Sequence, residues 1–325
     1  MKNVLRVLSY HRIAEEGAPP WLSPRLVSAT PGVFARQMKH LARHYHVVSM
    51  ERVLDAVLQG TSLPKRAVLL TFDDAYVDFG QVAWPILRSL GLPATLFVVT
   101  AHASDTKRRF WWDRLYHCVV NCASTSYETA TGSLSLGSLR QRTETVHRIQ
   151  ALVKSMPHAE GMRLIEEICS QFQEPNSAPV STMGWDELRQ LAREGVTLGA
   201  HTQTHPILTQ LAAEEVRAEV ASSQQDLLRH VGTALPIFCY PAGGHNESVA
   251  RILREQGIVL GFTTNPGQND LTTHDLLRLR RTDISPRTTG PVFWVRLMSI
   301  GNQLDTWRYR WHARDSVLVH QRGAL

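Results

Sequence analysis

Six short apolar runs alternate with amphipathic helical stretches along most of this 325-residue chain. The runs are VLRVLSY at 4–10, AVLLTF at 67–72, ATLFVV at 94–99, VTLGA at 196–200, PIFCY at 236–240 and IVLGFTT at 258–264. Continuous apolar runs bounded by Gly, Pro and Asp are typical of strands buried on both faces, and the helices between them suit right-handed crossovers. The pattern therefore predicts a parallel α/β barrel or a barrel-like sheet.

One segment breaks this alternation. It begins near residue 103, contains the aromatic run FWW at 110–112 and a Ser/Thr-rich stretch, and has a helical pattern from about 139 to 172. After it, Thr182 is placed to cap a further helix. We therefore predict four parts, which are a first barrel part at 1–102, a mostly helical insertion at 103–180, a second barrel part at 181–290 and a C-terminal helix and tail at 291–325.

Composition narrows the class of protein. The hydrophobic fraction of 43% supports a packed core, and four scattered cysteines are too few for a disulfide framework. The net charge of +6 comes mostly from Arg spread along the chain, so it indicates no defined partner and we expect no nucleic acid. Arg6 interrupts the first apolar run and no run reaches about 20 apolar residues, so we expect a cytoplasmic enzyme.

Polar clusters follow three of the predicted strands. They are Asp73-Asp74 after AVLLTF, His201 with His205 after VTLGA, and Tyr240-Pro241-Ala242-Gly243 after PIFCY. Each alone has an ordinary explanation, such as a helix cap, a chance pair of histidines or a strand-to-helix turn. In parallel α/β folds, however, the C-terminal ends of the strands meet, so we expect the three clusters to converge on one site. Two His and one carboxylate, with open positions left over, recur around catalytic divalent metals.

The motifs TFDDAYVDF, HTQTHP and YPAGG resemble, in order and spacing, the first three motifs of the polysaccharide deacetylases, the NodB-like carbohydrate esterases. LSYHRI near the start, FWWDRL in the insertion and LRRTDI near 279 extend the likeness to the intracellular or exopolysaccharide-associated branch of that family. The resemblance implies a deformed (β/α) barrel of the NodB-homology type, with fewer strands than eight. It also implies a divalent metal, usually zinc (Zn²⁺).

The resemblance assigns roles to four residues at matching positions. Asp73 corresponds to the catalytic base, and Asp74, His201 and His205 correspond to the metal ligands. A divalent cation lowers the pKa of its bound water and polarises the carbonyl that the water attacks. The backbone N–H of Ala242 is expected to stabilise the oxyanion together with the metal.

The sequence departs from the family pattern at several positions. Ala75 replaces the usual Gly, Cys239 replaces an Arg that orients the base in many members, and Ala242 replaces a Tyr. No Leu-x-His follows LRLRRTDIS, so the family's usual proton donor is missing. We expect His11, which follows the first strand, to line the site instead, or else to be structural. Arg281 is expected to position Asp73 or bind substrate, with a surface salt bridge as the alternative.

These features predict hydrolysis of an N-acetyl group from an amino sugar in a glycan, glycolipid or smaller precursor. The alternatives are a small-molecule amidohydrolase of the same fold and a non-catalytic carbohydrate-binding protein. Trp112 is predicted either to stack on a sugar or to pack the insertion onto the barrel. The segment from Val292 to Arg314 mixes aromatic and Arg residues, which suits either a docked helix or a peripheral contact with an anionic membrane. The oligomeric state is left open.

Overall fold

The computed structural model describes residues 3–15, 22–129, 132–172 and 182–298. The strands are β1 Val4–Tyr10, β2 Arg12–Ile13, β3 Val27–Ala29, β4 His46–Val47, β5 Ala67–Phe72, β6 Thr95–Val98, β7 Ser126–Thr129, β8 Gly132–Ser135, β9 Thr197–Ala200, β10 Ile237–Cys239, β11 Leu260–Phe262, β12 Asn269–Asp270 and β13 Thr282–Asp283. The α-helices are α1 Pro31–His44, α2 Met50–Leu58, α3 Trp84–Ser89, α4 Thr100–Ser104, α5 Trp111–Asn121, α6 Leu139–Ser155, α7 His158–Gln171, α8 Trp185–Arg193, α9 Ala213–Val231, α10 Glu247–Glu255 and α11 Gly290–Leu297.

The main sheet runs in the order β11-β10-β9-β6-β5-β1, and all of these neighbours pair in parallel. Each of the six apolar runs contains one of these strands, so the predicted strands are confirmed. The longest pairing joins β1 and β5 from Leu5 opposite Ala67 to Tyr10 opposite Phe72. β12 adds a short antiparallel pairing to β1 at Val4.

The segment from residue 279 to 283 joins the two edges of this sheet. Leu279 forms a parallel bridge with Phe262 at the end of β11, and a few residues later β13 pairs in parallel with Leu8 and Ser9 of β1. Six strands and this closing segment therefore form the wall of the barrel. The predicted deformed (β/α) barrel with fewer than eight strands is confirmed.

Alternate residues of the strands pack on opposite sides of the barrel wall. On β5, Val68 and Leu70 belong to a cluster shared with the outer helices, whereas Ala67 and Leu69 belong to a second cluster of strand residues and α2. The second cluster therefore fills the barrel interior. Because side chains point to alternate faces of a strand, Thr71 and Asp73 continue the inward row of Ala67 and Leu69 toward the open end of the barrel.

The helices follow from local signals in the sequence. Thr30 caps α1 by accepting a hydrogen bond from the Val33 N–H, and α9 ends at Gly232 in the left-handed conformation with φ of 86°. The prediction that Thr182 caps a helix is wrong, because Gly184 occupies the N-cap position of α8. Thr182 instead forms an antiparallel β-bridge with Tyr76, which ties this part of the chain to the loop after β5.

The region that breaks the strand–helix alternation contains α5, the β7–β8 hairpin, α6 and α7. These elements pack around an apolar cluster of their own, and its buried members include Leu115, Cys118, Val146, Ile149 and Ile165. The predicted helical pattern from 139 to 172 corresponds to α6 and α7, which are separated at Met156 and Pro157. Residues 173–181 lie outside the described part, and the division of the chain into domains stays a prediction.

The C-terminal helix α11 buries Phe293 and Leu297 against the barrel and contacts α1. Trp294 stacks on His40 of α1 with ring centroids 5.5 Å apart. Most of the segment from Val292 to Arg314 falls in residues 299–325, outside the described residues, so the choice between a docked helix and a membrane contact stays open there. Within the described ranges, no helix has the length and apolar character that crossing a membrane requires.

Candidate metal centre

The polar clusters that follow β5, β9 and β10 come together at one end of the barrel. Asp73 and Asp74 directly follow β5, and His201 directly follows β9. Both regions line one cavity of about 270 Å³ together with His205, Tyr240 and other residues. The convergence expected from parallel strand ends is present in the structure.

Three side chains in this cavity face one another as a ligand set. Nε2 of His201 and Nε2 of His205 each lie 3.6 Å from Oδ1 of Asp74. The ligand atoms of these three residues all lie within 4.8 Å of one another. Oδ1 of Asp74 is buried and has no hydrogen-bond partner among the described residues. A buried carboxylate oxygen without a partner is costly, and a cation between it and the two imidazoles would satisfy it.

The electrostatics of this group also suit a cation. Burial lowers the pKa of His201 to about 4 and that of His205 well below its usual value, so both rings are neutral near pH 7. Burial raises the pKa of Asp74 to about 7. Neutral imidazole is the ligand form of His, and a nearby divalent charge would favour the ionised form of Asp74.

Asp73, His201 and Cys239 form a second group with metal-ligand spacing. Two contacts make it the weaker candidate. Asp73 is engaged by an Arg side chain, and Nδ1 of His201 lies 2.7 Å from the Cys239 carbonyl oxygen. That contact fixes the ring so that Nε2 points to Asp74, because a ligating His commonly donates its other N–H to a carbonyl.

Arg281 holds Asp73 through two hydrogen bonds. Nη1 donates to Oδ1 and Nη2 donates to Oδ2, both at 2.8 Å, and both side chains are buried. The guanidinium also donates to the Thr263 carbonyl through Nε. The pKa of Asp73 lies well below its usual range because the charge and hydrogen bonds of Arg281 outweigh burial. Arg281 belongs to the segment that closes the barrel. Cys239, at the position where many family members have an Arg, makes a weaker contact with Asp73, with its Sγ 3.7 Å from Oδ2.

The backbone around the site adopts conformations that L residues rarely take. Positive φ angles occur at Asp74 (72°), Ala75 (53°), Thr202 (65°), His205 (65°) and Ala242 (51°). Such conformations cost on the order of 1 kcal/mol each and concentrate at functional sites. The φ of Ala75 explains why Gly is usual at this position in the resembling family, since Gly adopts the left-handed region without strain.

His11 lies beside the carboxylate of Asp73. Its Nε2 is 3.9 Å from Oδ2 of Asp73, and its Nδ1 is 4.0 Å from Oδ1 of Asp283. Its side chain is 29% exposed, so it is reachable from the cavity that it lines. Sequence reasoning missed Asp283, although it lies in the LRRTDI segment and its carboxylate also accepts a hydrogen bond from Ser9.

Trp112 forms part of the cavity wall and is also tied into the fold. Its indole N–H donates to the Tyr76 hydroxyl at 2.9 Å, and that hydroxyl donates to the buried Asp113 carboxylate at 3.0 Å. The Trp112 ring stacks on Phe110 and lies 4.7 Å from the His205 ring. Tyr76 and Asp113 were not predicted, and their position within TFDDAYVDF and FWWDRL was the available signal.

The turn after β10 is divided between the cavity and the protein interior. Tyr240 and Ala242 line the cavity, whereas Pro241 and Gly243 are not among its lining residues. The Tyr240 hydroxyl donates to the Leu277 carbonyl at 2.7 Å and is therefore engaged within the protein. At Gly243 a Cβ would lie 2.0 Å from Thr264 Oγ1, so this Gly permits a close approach of two chain segments.

Comparisons with known proteins agree with this fold. A sequence model described as polysaccharide deacetylase matches residues 60–261. YxkH of Bacillus subtilis (strain 168) is 21% identical over 299 residues, which are 91% of this chain and 77% of that protein. The poly-β-1,6-N-acetyl-D-glucosamine N-deacetylase of Escherichia coli (strain K12) is 33% identical over 88 residues, which are 27% of this chain and 12% of that enzyme.

Among solved structures, the Streptococcus pyogenes deacetylase PplD in complex with acetate superposes with a TM-score of 0.63. The sequences are 20% identical, and the match covers 92% of this chain and 100% of that one. This likeness is one of fold. The match of the sequence model over more than half of the chain shows that the protein belongs to the polysaccharide deacetylase family.

Proposed function

We propose that this protein removes the N-acetyl group from an amino sugar of a glycan, glycolipid or smaller saccharide by metal-dependent hydrolysis. The observation that carries the proposal is that Oδ1 of Asp74, which has no hydrogen-bond partner in the described part of the chain, faces Nε2 of His201 and His205. This group lies beside the Asp73–Arg281 pair in one cavity. Membership of the polysaccharide deacetylase family supports an amide substrate on a sugar.

Asp74, His201 and His205 would hold the cation, and zinc suits a set of two imidazoles and one carboxylate. Such a cation supplies Lewis-acid polarisation of the amide carbonyl and lowers the pKa of a bound water to about 7. Three protein ligands would leave coordination positions open for water and substrate, as catalytic zinc sites require.

The chain's own residues supply the proton transfers. Because Arg281 holds the pKa of Asp73 low, Asp73 is a carboxylate at neutral pH and is ready to accept a proton from the attacking water. Water oxygen adds to the carbonyl carbon, the C–N bond then breaks, and the amine nitrogen takes up a proton. His11 is the group beside Asp73 that is placed to deliver this proton. The products are acetate and the free amino sugar.

Other residues that line the cavity would contact the sugar ring and the oxyanion. Trp112 offers an aromatic face, which suits the C–H surface of a pyranose ring. The backbone N–H of Ala242 belongs to the turn that lines the cavity and is our candidate donor to the oxyanion. Tyr240 would act as part of the wall, because its hydroxyl is already bonded to Leu277.

The test separates metal binding from turnover. We expect Asp74→Ala to lose stoichiometric metal and activity together, because it removes the ligand carboxylate. Asp73→Asn should retain the metal and lose at least about 100-fold in kcat, the range of general acid–base catalysis. His11→Ala should retain the metal and have a lower kcat. Metal content is measured on the purified proteins, and acetate release is measured with N-acetylglucosamine oligomers.

Three outcomes would contradict the proposal. Equal metal loss in Asp73→Asn and Asp74→Ala would show that the two carboxylates do not have separate roles. Faster acetate release from small non-sugar amides than from the oligomers would favour the small-molecule amidohydrolase. Sugar binding that persists without metal, with no acetate release from the metal-loaded protein, would favour a non-catalytic carbohydrate-binding protein.

A further inference from the structure

One part of the cavity lining is basic, in contrast to the carboxylates of the metal centre. It is contributed by the loop before β3 and by α6 and α7. Arg25 comes from the loop, Lys154 from the last turn of α6, and His158 from the first turn of α7. Gln210, the last residue of a short 3-10 helix beyond His205, donates from Nε2 to the Lys154 carbonyl at 2.6 Å. That hydrogen bond ties the end of α6 to the barrel and fixes where Lys154 stands.

Arg25 and Lys154 are like charges on one wall. The pKa of Lys154 is lowered, first by desolvation and then by the positive charge of Arg25. Neither side chain forms an ion pair within the residues that the structure describes. Because both side chains line the same cavity, their like charges repel one another, and an anion bound there would relieve that repulsion.

The other charges of the cavity do not compensate for this pair. Asp73 and Asp74 are the only carboxylates among the described lining residues. Asp73 is bonded to Arg281, and Asp74 belongs to the metal centre. Glu219 and Glu215, whose charges act on His158, already accept backbone hydrogen bonds. Glu219 accepts from the amides of Gln203 and Thr204, and Glu215 accepts from the amide of Ala212.

We propose that Arg25 and Lys154 form an anion subsite, so that the substrate is an N-acetylated amino sugar that carries a phosphate or carboxylate group. The inference rests on the proposed deacetylase function and adds the charge class of the substrate. The sugar would place its acetamide at the metal centre and its anionic group at the Arg25–Lys154 wall. Because Arg and Lys both donate to phosphate and carboxylate oxygens, the two anions share this chemistry.

The experiment compares matched neutral and anionic substrates by acetate release. N-acetylglucosamine 1-phosphate is compared with methyl N-acetylglucosaminide, and a glucuronic acid–N-acetylglucosamine disaccharide with diacetylchitobiose. We expect at least one anionic probe to have a higher kcat/KM than its neutral partner by about tenfold, the scale of one charge-assisted hydrogen bond. Which pair shows the preference distinguishes a phosphate from a carboxylate.

Variants test whether Arg25 and Lys154 cause the preference for anionic substrates. The double variant Arg25→Gln, Lys154→Met should lose the preference and keep its kcat/KM for the neutral substrates. Lys39→Met removes an exposed lysine of α1 outside the cavity and should behave as wild type. Calorimetry with glucosamine 1-phosphate and methyl glucosaminide gives a second readout that does not need turnover, with tighter binding of the phosphate expected only when the wall is intact.

The failures of the two proposals differ. Acetate release from neutral and anionic substrates at equal kcat/KM, with equal calorimetric affinities, would overturn the subsite and leave the deacetylase intact. No acetate release from any N-acetylated sugar would overturn the proposed function. An anion preference that survives in the double variant would also reject the assignment to Arg25 and Lys154.

Discussion

At the residue scale, the Asp73–Arg281 pair shows how a buried carboxylate stays charged at the end of the barrel. Removing two ions from water costs several kcal/mol each, and the cost is offset only when the geometry is good and the remaining donors are satisfied. Here both carboxylate oxygens accept from the guanidinium, and the Arg281 Nε donates to the Thr263 carbonyl. The pair therefore keeps Asp73 ionised and oriented beside the metal ligands.

A buried histidine near the site leads to a prediction on pH. His102 is 3% exposed, stacks on Phe110, and has its pKa lowered to about 3 by desolvation and by the charge of Arg108. In the unfolded chain its pKa returns to about 6.5. Below that pH the unfolded state binds a proton that the folded state does not, so stability falls as pH decreases from about 6.5 toward 3.

We expect His102→Phe to remove this dependence while keeping the stack on Phe110. Urea unfolding at pH 7 and pH 5 should show a wild-type loss that is larger than the variant's by about 1 to 2 kcal/mol. His44→Phe, which changes an exposed residue at the end of α1, serves as the control. Parallel stability profiles for wild type and His102→Phe would rule out His102 as the source.

At the element scale, the narrow barrel constrains β9, the strand that directly precedes the two histidine ligands. Gly199 lies in β9 between β6 and β10. A Cβ at this position would lie 2.7 Å from the ring of Phe97 and 2.8 Å from the side chain of Ile237. Both neighbours belong to the interior cluster, where fewer strands than eight leave less room for side chains.

Gly199→Ala should therefore destabilise the protein by about 1–3 kcal/mol, the cost of overpacking a core. It should also weaken metal binding, because His201 lies two residues further along the chain, directly after β9. Gly290→Ala is the matched control, since its Cβ meets no atom within 4 Å. Unfolding in urea and zinc titration measure the two effects. If both variants had wild-type stability, the interior would have more room than the contacts indicate.

At the scale of the whole molecule, the metal centre connects distant parts of the chain. Asp74 follows β5, whereas His201 and His205 follow β9, more than a hundred residues later. A ligand set assembled only in the folded state couples metal binding to folding. The proposed cation is therefore expected to stabilise the whole barrel, since both strands lie in its central sheet.

Removal of metal by a chelator should lower Tm by about 5 °C, given that ligand at 100 times Kd contributes about 2.7 kcal/mol. Adding zinc back should restore the original Tm. Asp74→Ala provides the control, because its Tm should not respond to chelator or zinc. The coupling would be disproved if the chelator stripped the metal from the wild-type protein without changing its Tm.

Much of the fold could be predicted because the signals are local. Apolar runs such as that of β5 indicate buried strands, Thr30 caps α1 through its own side chain, and Gly232 ends α9. Thr182 was mispredicted because a polar residue before a helix resembles a cap, while a tertiary bridge to Tyr76 decided its place.

The candidate site also has features that could be predicted from the sequence and features that could not. The order and spacing of Asp73, Asp74, His201 and His205 were readable in the sequence because parallel strands bring their C-terminal ends to one place. That Arg281 is the partner of Asp73, and that Asp283 lies beside His11, depended on how the segment after β11 closes the barrel. The position of Lys154 near Arg25 likewise depends on how α6 packs against the barrel. These last contacts are made through the packing of a closing segment and of an inserted helix, and no local sequence pattern records that packing.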